Sequence, residues 1–154
     1  MARSLRSYLK QRGIDYEEVR HPREVTMSRV AERAHIHGHK LAKAVLIKSD
    51  SGYSLAVVPS TCRVDLAHLS GLLQERLGLA TEREIETCFS DCEPGALTPL
   101  GEPYGMKVTL DNALFGQPDI YFEAGDHRTL IHMSGQDFIR LMDGAGRGHI
   151  GAHM

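Results

Sequence analysis

The sequence predicts a single compact α/β (α+β) domain over residues 1–143, built on a mixed β-sheet with flanking helices. Three observations carry this expectation. Helical and strand patterns are interleaved without regular βαβ alternation, which points to a mixed sheet rather than a parallel one. Two apolar strands, Leu41–Lys48 (LAKAVLIK) and Tyr53–Pro59 (YSLAVVP), are joined by Ser49-Asp50-Ser51-Gly52, a strong hairpin signal. The chain has 154 residues, 42% of them hydrophobic, enough to bury a core without disulfides or a metal staple.

The elements follow in order. Leu5, Tyr8 and Leu9 fall at helical spacing in residues 2–12, with Gly13 as the stop. Ile14–Arg20 reads as a short strand ending at His21-Pro22. Ser28 is placed to cap a helix through Ala34 that carries Val30, Ala31 and Ala34 on one side, with Gly38 as its breaker. After the hairpin, Asp65 opens a helical run through Leu66, Leu69, Leu72 and Leu73. Thr81-Glu82-Arg83-Glu84 is a capping box that starts a helix to Phe89. Lys107–Leu110, Asp119–Glu123 and Thr129–Met133 are strand candidates, and Ser134-Gly135-Gln136-Asp137 begins a last helix with Phe138, Leu141 and Met142 inward. From Gly144 to Met154 the chain is glycine-rich with no periodic face, so residues 144–154 are expected to be a disordered tail.

Composition excludes several function classes. No apolar run approaches the ~18 residues of a membrane span, and MARSLRSYLKQRG lacks the apolar region of a secretory signal, so a cytoplasmic protein with no membrane partner is expected. Trp is absent and aromatics are 6% of the chain, which argues against a stacking platform for single strands. Three cysteines, Cys62, Cys88 and Cys92, suit a reducing compartment better than a disulfide framework. The net charge is −2, but residues 1–50 hold 11 basic and 6 acidic side chains, so the N-terminal part is the half a phosphate-bearing partner would meet.

Two features point to chemistry. Strand alternation puts Lys43, Val45 and Ile47 on one face, and a lysine between alanines in an apolar strand is costly to bury unless it meets an anion or a polar partner. It reads either as a cation at a pocket wall or as a lysine snorkelling from the strand's start. The second feature is Gly95-Ala96-Leu97-Thr98-Pro99-Leu100-Gly101 after Glu93-Pro94, a loop of defined shape that can aim backbone N–H groups at a carbonyl or phosphate, or serve only as a turn. His35, His37 and His39 alternate, but Gly38 interrupts them and no carboxylate or Cys lies close in sequence, so no metal is expected. Cys88-x-x-x-Cys92 lacks zinc-site spacing, and no local signature makes Cys62 a nucleophile.

Lys43 and the GxxxP loop, in order with His21-Pro22, Thr26, VAERAHIHGHKLAKAVLI, VTLDNALF, YFEAG and the terminal SGQDF, make the chain resemble the YbaK / prolyl-tRNA-synthetase-associated domain family of aminoacyl-tRNA editing domains. The resemblance covers roughly residues 15–142 and implies a mixed, partly barrel-like sheet with a cleft between sheet and loops. It implies a free-standing, trans-editing aminoacyl-tRNA deacylase that hydrolyses the ester of a mischarged tRNA. Its catalytic lysine would be Lys43, and substrate would be bound by Gly95, Ala96, Leu97, Thr98, Pro99 and Gly101, with His21, Thr26, Glu123 and Gly125 beside them. The implied partners are the aminoacylated 3′ end of tRNA and a synthetase or other translation factor, with no cofactor. The alternative on the same fold is a non-catalytic module that binds a tRNA end or a nucleotide. One departure stands out: where some editing branches carry a His-Pro pair, this chain reads Tyr121-Phe122-Glu123-Ala124-Gly125. An acidic Glu123 would favour the substrate's α-ammonium or a hydroxyl-bearing side chain, or be a solvent-facing strand end.

Overall fold

The computed structural model describes residues 1–154. In chain order its elements are α1 (Arg3–Arg12), β1 (Glu17–Arg20), α2 (Met27–Ala34), β2 (Leu41–Ser49), β3 (Gly52–Pro59), β4 (Cys62–Val64), α3 (Leu66–Leu73), β5 (Leu77–Leu79), α4 (Glu82–Cys88), β6 (Lys107–Asp111), β7 (Asp119–Glu123), β8 (Thr129–Ser134), α5 (Gly135–Leu141), β9 (Gly146–Gly148) and β10 (Gly151–His153). Short 3-10 turns occupy Gly38–Lys40, Glu102–Tyr104 and Asn112–Leu114. The main sheet runs β1-β8-β7-β2-β3-β6-β9, with β5 added to β2, and β4 pairs separately with β10. The β2–β7, β3–β6 and β6–β9 pairs are parallel and the rest antiparallel, so the sheet is mixed as expected. It does not close into a barrel: β1 and β9 end the strand order.

The helix starts follow local chemistry. Asp65, Thr81 and Ser134 each accept a backbone N–H of the first turn they precede, and Thr81 and Glu84 form the reciprocal capping box. Lys48 and the Tyr53 hydroxyl both meet the Glu84 carboxylate, tying α4 to the β2–β3 hairpin. The hydrogen bond from Lys48 holds Glu84 well down, at about 2. At α2 the expected cap is displaced: Thr26, not Ser28, accepts the Arg29 N–H at 3.3 Å, because Met27 is already helical. The helix ends at His35 in the left-handed region (φ 58°), before Gly38 is reached.

The larger correction concerns the C-terminus. Residues 144–154 are not a disordered tail: β9 lies parallel to β6 and β10 antiparallel to β4. Ile150 is 1% exposed and packs with Ile47, Ala56, Val58, Cys62 and Leu69. Asp111, at the end of β6, accepts the N–H groups of Ile150 (2.9 Å) and Gly151 (2.8 Å). Glycine weakens a strand intrinsically, but here long-range pairing and one buried isoleucine outweigh that preference.

The two faces of β2 bury different partners. Ala42 and Leu46 join the main core with Leu55, Val57, Leu110, Phe122 and Phe138. On the opposite face Leu41 belongs to a cluster with Val30, Ala31 and Leu130 under α2, whereas Ile47 belongs to the cluster around Leu69 of α3. Lys43 stands on that face between the two clusters. No helix is long and apolar enough to cross a membrane.

Candidate active site around Lys43

The sheet is interrupted beside Lys43. One edge of β2 is covered by β3 along Ala42–Ser49; the other is paired by β7 only at Leu41 and Ala42 and by β5 only at Ile47–Ser49. The stretch from Lys43 to Leu46 therefore faces a break between two neighbours. Lys43 is half-buried there and its Nζ donates to the Cys62 carbonyl. No carboxylate lies within ion-pair distance. Burial pushes its pKa below the ordinary 10.5. Of its basic sequence neighbours, Lys48 is not part of this arrangement, since it is bound to Glu84 at 2.8 Å.

The GxxxP loop, Gly95–Pro99, is set by contacts with the turn that follows β7. His127, at φ 60°, is 2% exposed, and its Nε2 donates to the Pro94 carbonyl at 2.6 Å. Because a carbonyl only accepts, the proton sits on Nε2. A Cβ on Gly95 would lie 3.8 Å from the His127 ring. Glu93 N–H donates to Gly125 O at 2.8 Å, and Gly125, at φ 112°, packs so closely on Ala2 that a Cβ would come within 2.9 Å of it. Ala96 N–H is committed to Glu93 O at 2.9 Å, while the N–H groups of Gly95, Leu97 and Thr98 make no hydrogen bond within the chain. Ala96 and Thr98 are buried.

Glu123 is 3% exposed, not a solvent-facing strand end. Its Oε2 accepts the N–H groups of Gly125 (2.8 Å), Asp126 (3.2 Å) and His127 (3.3 Å), whereas Oε1 has no partner. In the parallel β2–β7 register Leu41 faces Tyr121 and Ala42 faces Phe122, so Glu123 follows Tyr121 by two on the face that also carries Leu41 and Lys43. Burial raises the Glu123 pKa above 4.5; the Gly125 and Asp126 N–H groups and His127 oppose that shift, and Asp126 adds to it. A carboxyl whose pKa is higher folded than unfolded adds stability below the unfolded value and loses it as pH rises through the folded value. The expected result is a melting temperature that gains on acidification from neutral pH toward about 4.5 relative to Glu123→Gln, read by thermal melts of both proteins over that window.

His21 is also buried. Its N–H binds Arg128 O at 2.9 Å, its Nδ1 meets Pro22 O at 2.7 Å, and its Nε2 has no partner. Thr26 is brought to the same end of the molecule by the Glu24 N–H to His127 O bond (3.1 Å), but its hydroxyl is used as the α2 cap. Gly101 lies apart: a Cβ there would meet Met106 O at 2.5 Å, which explains the glycine by packing. It lines a cleft of about 790 Å³ that opens between Tyr8, Ser54, Met106, Thr109 and Gly146, away from Lys43. His127 and the Cys62 carbonyl were not singled out by sequence. A histidine in the left-handed region carries no local signal, and a carbonyl partner depends on how β4 folds back.

The other candidates resolve into structure. The rings of His37 and His39 stack with centroids 5.4 Å apart, and His35 closes α2. No three His, Cys, Asp or Glu side chains converge as a metal-holding group. Burial raises Cys88, and raises Cys92 to about 12, which disfavours the thiolate a nucleophile needs.

Comparison with known proteins bears on the family and the fold. Residues 21–141 match the family described as aminoacyl-tRNA editing domain. No curated protein matches the chain by sequence. Among solved structures, one described as a candidate trans-editing enzyme for prolyl tRNA synthetase superposes with a TM-score of 0.84 at 22% identity, covering 97% of this chain and 96% of that one. A hypothetical protein superposes with a TM-score of 0.85 at 16% identity, over 97% of this chain and 99% of that one. A protein from work on epitope grafting by computational design gives 0.84 at 20% identity, over 99% and 97%. The last three share the fold, and the match over residues 21–141 gives the lineage: the chain belongs to the aminoacyl-tRNA editing domain family.

Proposed function

We propose that this chain is a trans-editing aminoacyl-tRNA deacylase, which hydrolyses the ester linking a wrong amino acid to the 3′ end of tRNA. The observation that carries this reading is Lys43: a half-buried cation at a break in the sheet, held by one carbonyl and neutralised by no carboxylate. A buried charge left in that state calls for an anionic or strongly polar ligand. The phosphate or the reacting carbonyl at an aminoacylated tRNA end is such a ligand.

The chemistry asks little of the protein. An aminoacyl ester is already activated, so water attacks once it is positioned and the developing oxyanion is stabilised. The uncommitted N–H groups of Gly95, Leu97 and Thr98 are the candidate donors to that oxyanion, with Ala96 N–H spent on holding the loop. Lys43 orients the substrate rather than acting as a base: its pKa falls on burial, yet only the ammonium form can bind an anion. The partner is therefore a mischarged tRNA in the cytoplasm, met alone or beside a synthetase or other translation factor.

The test incubates the purified chain with a panel of mischarged tRNAs, with and without chelator, and measures release of the amino acid. Chelator-insensitive hydrolysis of at least one ester is expected. Tight tRNA binding with every ester left intact would instead make the chain a non-catalytic tRNA-end module.

A further inference from the structure

The three buried side-chain polar atoms that lack a partner are His21 Nε2, Thr98 Oγ1 and Glu123 Oε1. Their side chains belong to residues 8%, 0% and 3% exposed. Unpaired buried polar atoms are rare because each forfeits its hydration for nothing, so three of them carried on segments that meet call for a common partner. All three belong to segments that meet at the turn after β7. His127 N–H binds Glu123 Oε2, His127 Nε2 binds Pro94 O at the mouth of the loop bearing Thr98, and His21 N–H binds Arg128 O.

Their chemistry is one-sided. His21 Nδ1 faces the Pro22 carbonyl at 2.7 Å, so that nitrogen carries the proton and Nε2 of the neutral ring offers a lone pair. Glu123 spends Oε2 on three backbone N–H groups and keeps Oε1 as an acceptor. The Thr98 hydroxyl can accept as well. Three acceptors, one of them on a carboxylate, complement a group with three N–H donors and a positive charge.

We infer that Glu123 Oε1, His21 Nε2 and Thr98 Oγ1 together receive the free α-ammonium of the aminoacyl group, so that the chain acts on esters of amino acids with an unmodified amino terminus and rejects N-acylated ones. The inference rests on the deacylase reading and adds what that reading leaves open, a positive recognition of the amino group. It also gives a physical reason for an acidic residue at position 123. Rejection follows because an N-acyl amide keeps one donor, loses the charge and leaves two of the three acceptors buried and unpaired.

The test uses three hydrolysis-resistant probes, 3′-deoxy-3′-(alanylamino)adenosine, its N-acetyl derivative and its seryl counterpart, with affinities for the intact chain read by calorimetry. The free-amine probe is expected to bind roughly 10-fold or more tightly than the acetylated one, with that ratio collapsing toward one in Glu123→Gln and falling in Thr98→Val. The wild-type pair decides the matter even if a variant fails to fold. Equal binding of the alanyl probe and its N-acetyl derivative overturns the inference and leaves the deacylase reading standing. A seryl probe that outbinds the alanyl one, with acetylation without effect, also overturns it, since the pocket would then read a side-chain hydroxyl. Failure of every probe to bind overturns this inference and the deacylase reading together.

Discussion

Lys43→Ala is expected to lose deacylation by on the order of 100-fold or more, the scale seen when one preorganised electrostatic group is removed from a reacting centre. Its melting temperature should stay close to that of the wild type. The two expectations together separate a site residue from a framework residue. Lys43 already bears a burial cost that pushes its pKa below 10.5, and its one bond in the chain is to the Cys62 carbonyl. Removing it relieves one cost and creates another of similar size, about 1 kcal/mol either way. Lys43→Met keeps the apolar stem between the α2 and α3 clusters and should be as inactive as Lys43→Ala, which isolates the charge. In the wild type the working form is the ammonium, so activity above the spontaneous background should fall as pH rises through a value below 10.5. Equal rates for the wild type and both variants would remove Lys43 from the mechanism.

Asp111→Ala is expected to be the most destabilising single change near the C-terminus. The Asp111 side chain accepts three backbone N–H groups, from Ile150, Gly151 and Ala113, and the residue is 3% exposed. Truncation strands those donors in the interior, at a cost of about 3–5 kcal/mol in total. Loss should show in urea unfolding, and amide exchange at Ile150 and Gly151 should speed up before the rest of the molecule opens. Asp111→Asn keeps one carbonyl oxygen as acceptor and should cost markedly less. A change of under about 1 kcal/mol in Asp111→Ala would mean that β9 and β10 are held by other contacts.

These two residues also mark how far the sequence could be read. The β2–β3 hairpin, the Asp65 and Ser134 helix starts and the Thr81 capping box were legible because each is a local signal: alternation, or a side chain that bonds the turn it precedes. Lys43 was legible for the same reason, as the odd residue in an alternating strand. The C-terminal strands were not. Each has three residues, both contain glycine, and both depend on partners at least 35 positions earlier, as the Arg147 bond to Asn112 and the Gly151 bond to Asp111 illustrate. The β4 and β5 strands were missed because each has only three residues and pairs with a segment distant in sequence. Thr26 displaced Ser28 as the α2 cap by two positions, a shift within the ordinary uncertainty of a helix boundary.

Within the site, the loop was recognisable from its glycine and prolines, but which of its N–H groups are free was not. Ala96 N–H is spent on Glu93, a detail fixed only when the loop folds against the turn after β7. Glu123 stood out as a departure, but its burial was not legible: three backbone donors meet one carboxylate oxygen and none meets the other. His127 holds loop and turn together from a conformation that no sequence pattern announces.

The claim that the aminoacyl end is bound at Lys43, rather than in the cleft beyond Gly101, is tested most directly by mapping where 3′-deoxy-3′-(alanylamino)adenosine perturbs the backbone amide signals of the wild-type chain. The predicted result is a contiguous set at Lys43, Gly95–Thr98 and Glu123–His127. Perturbations centred instead on Tyr8, Met106 and Gly146, with Lys43 and Glu123 unmoved, would contradict it.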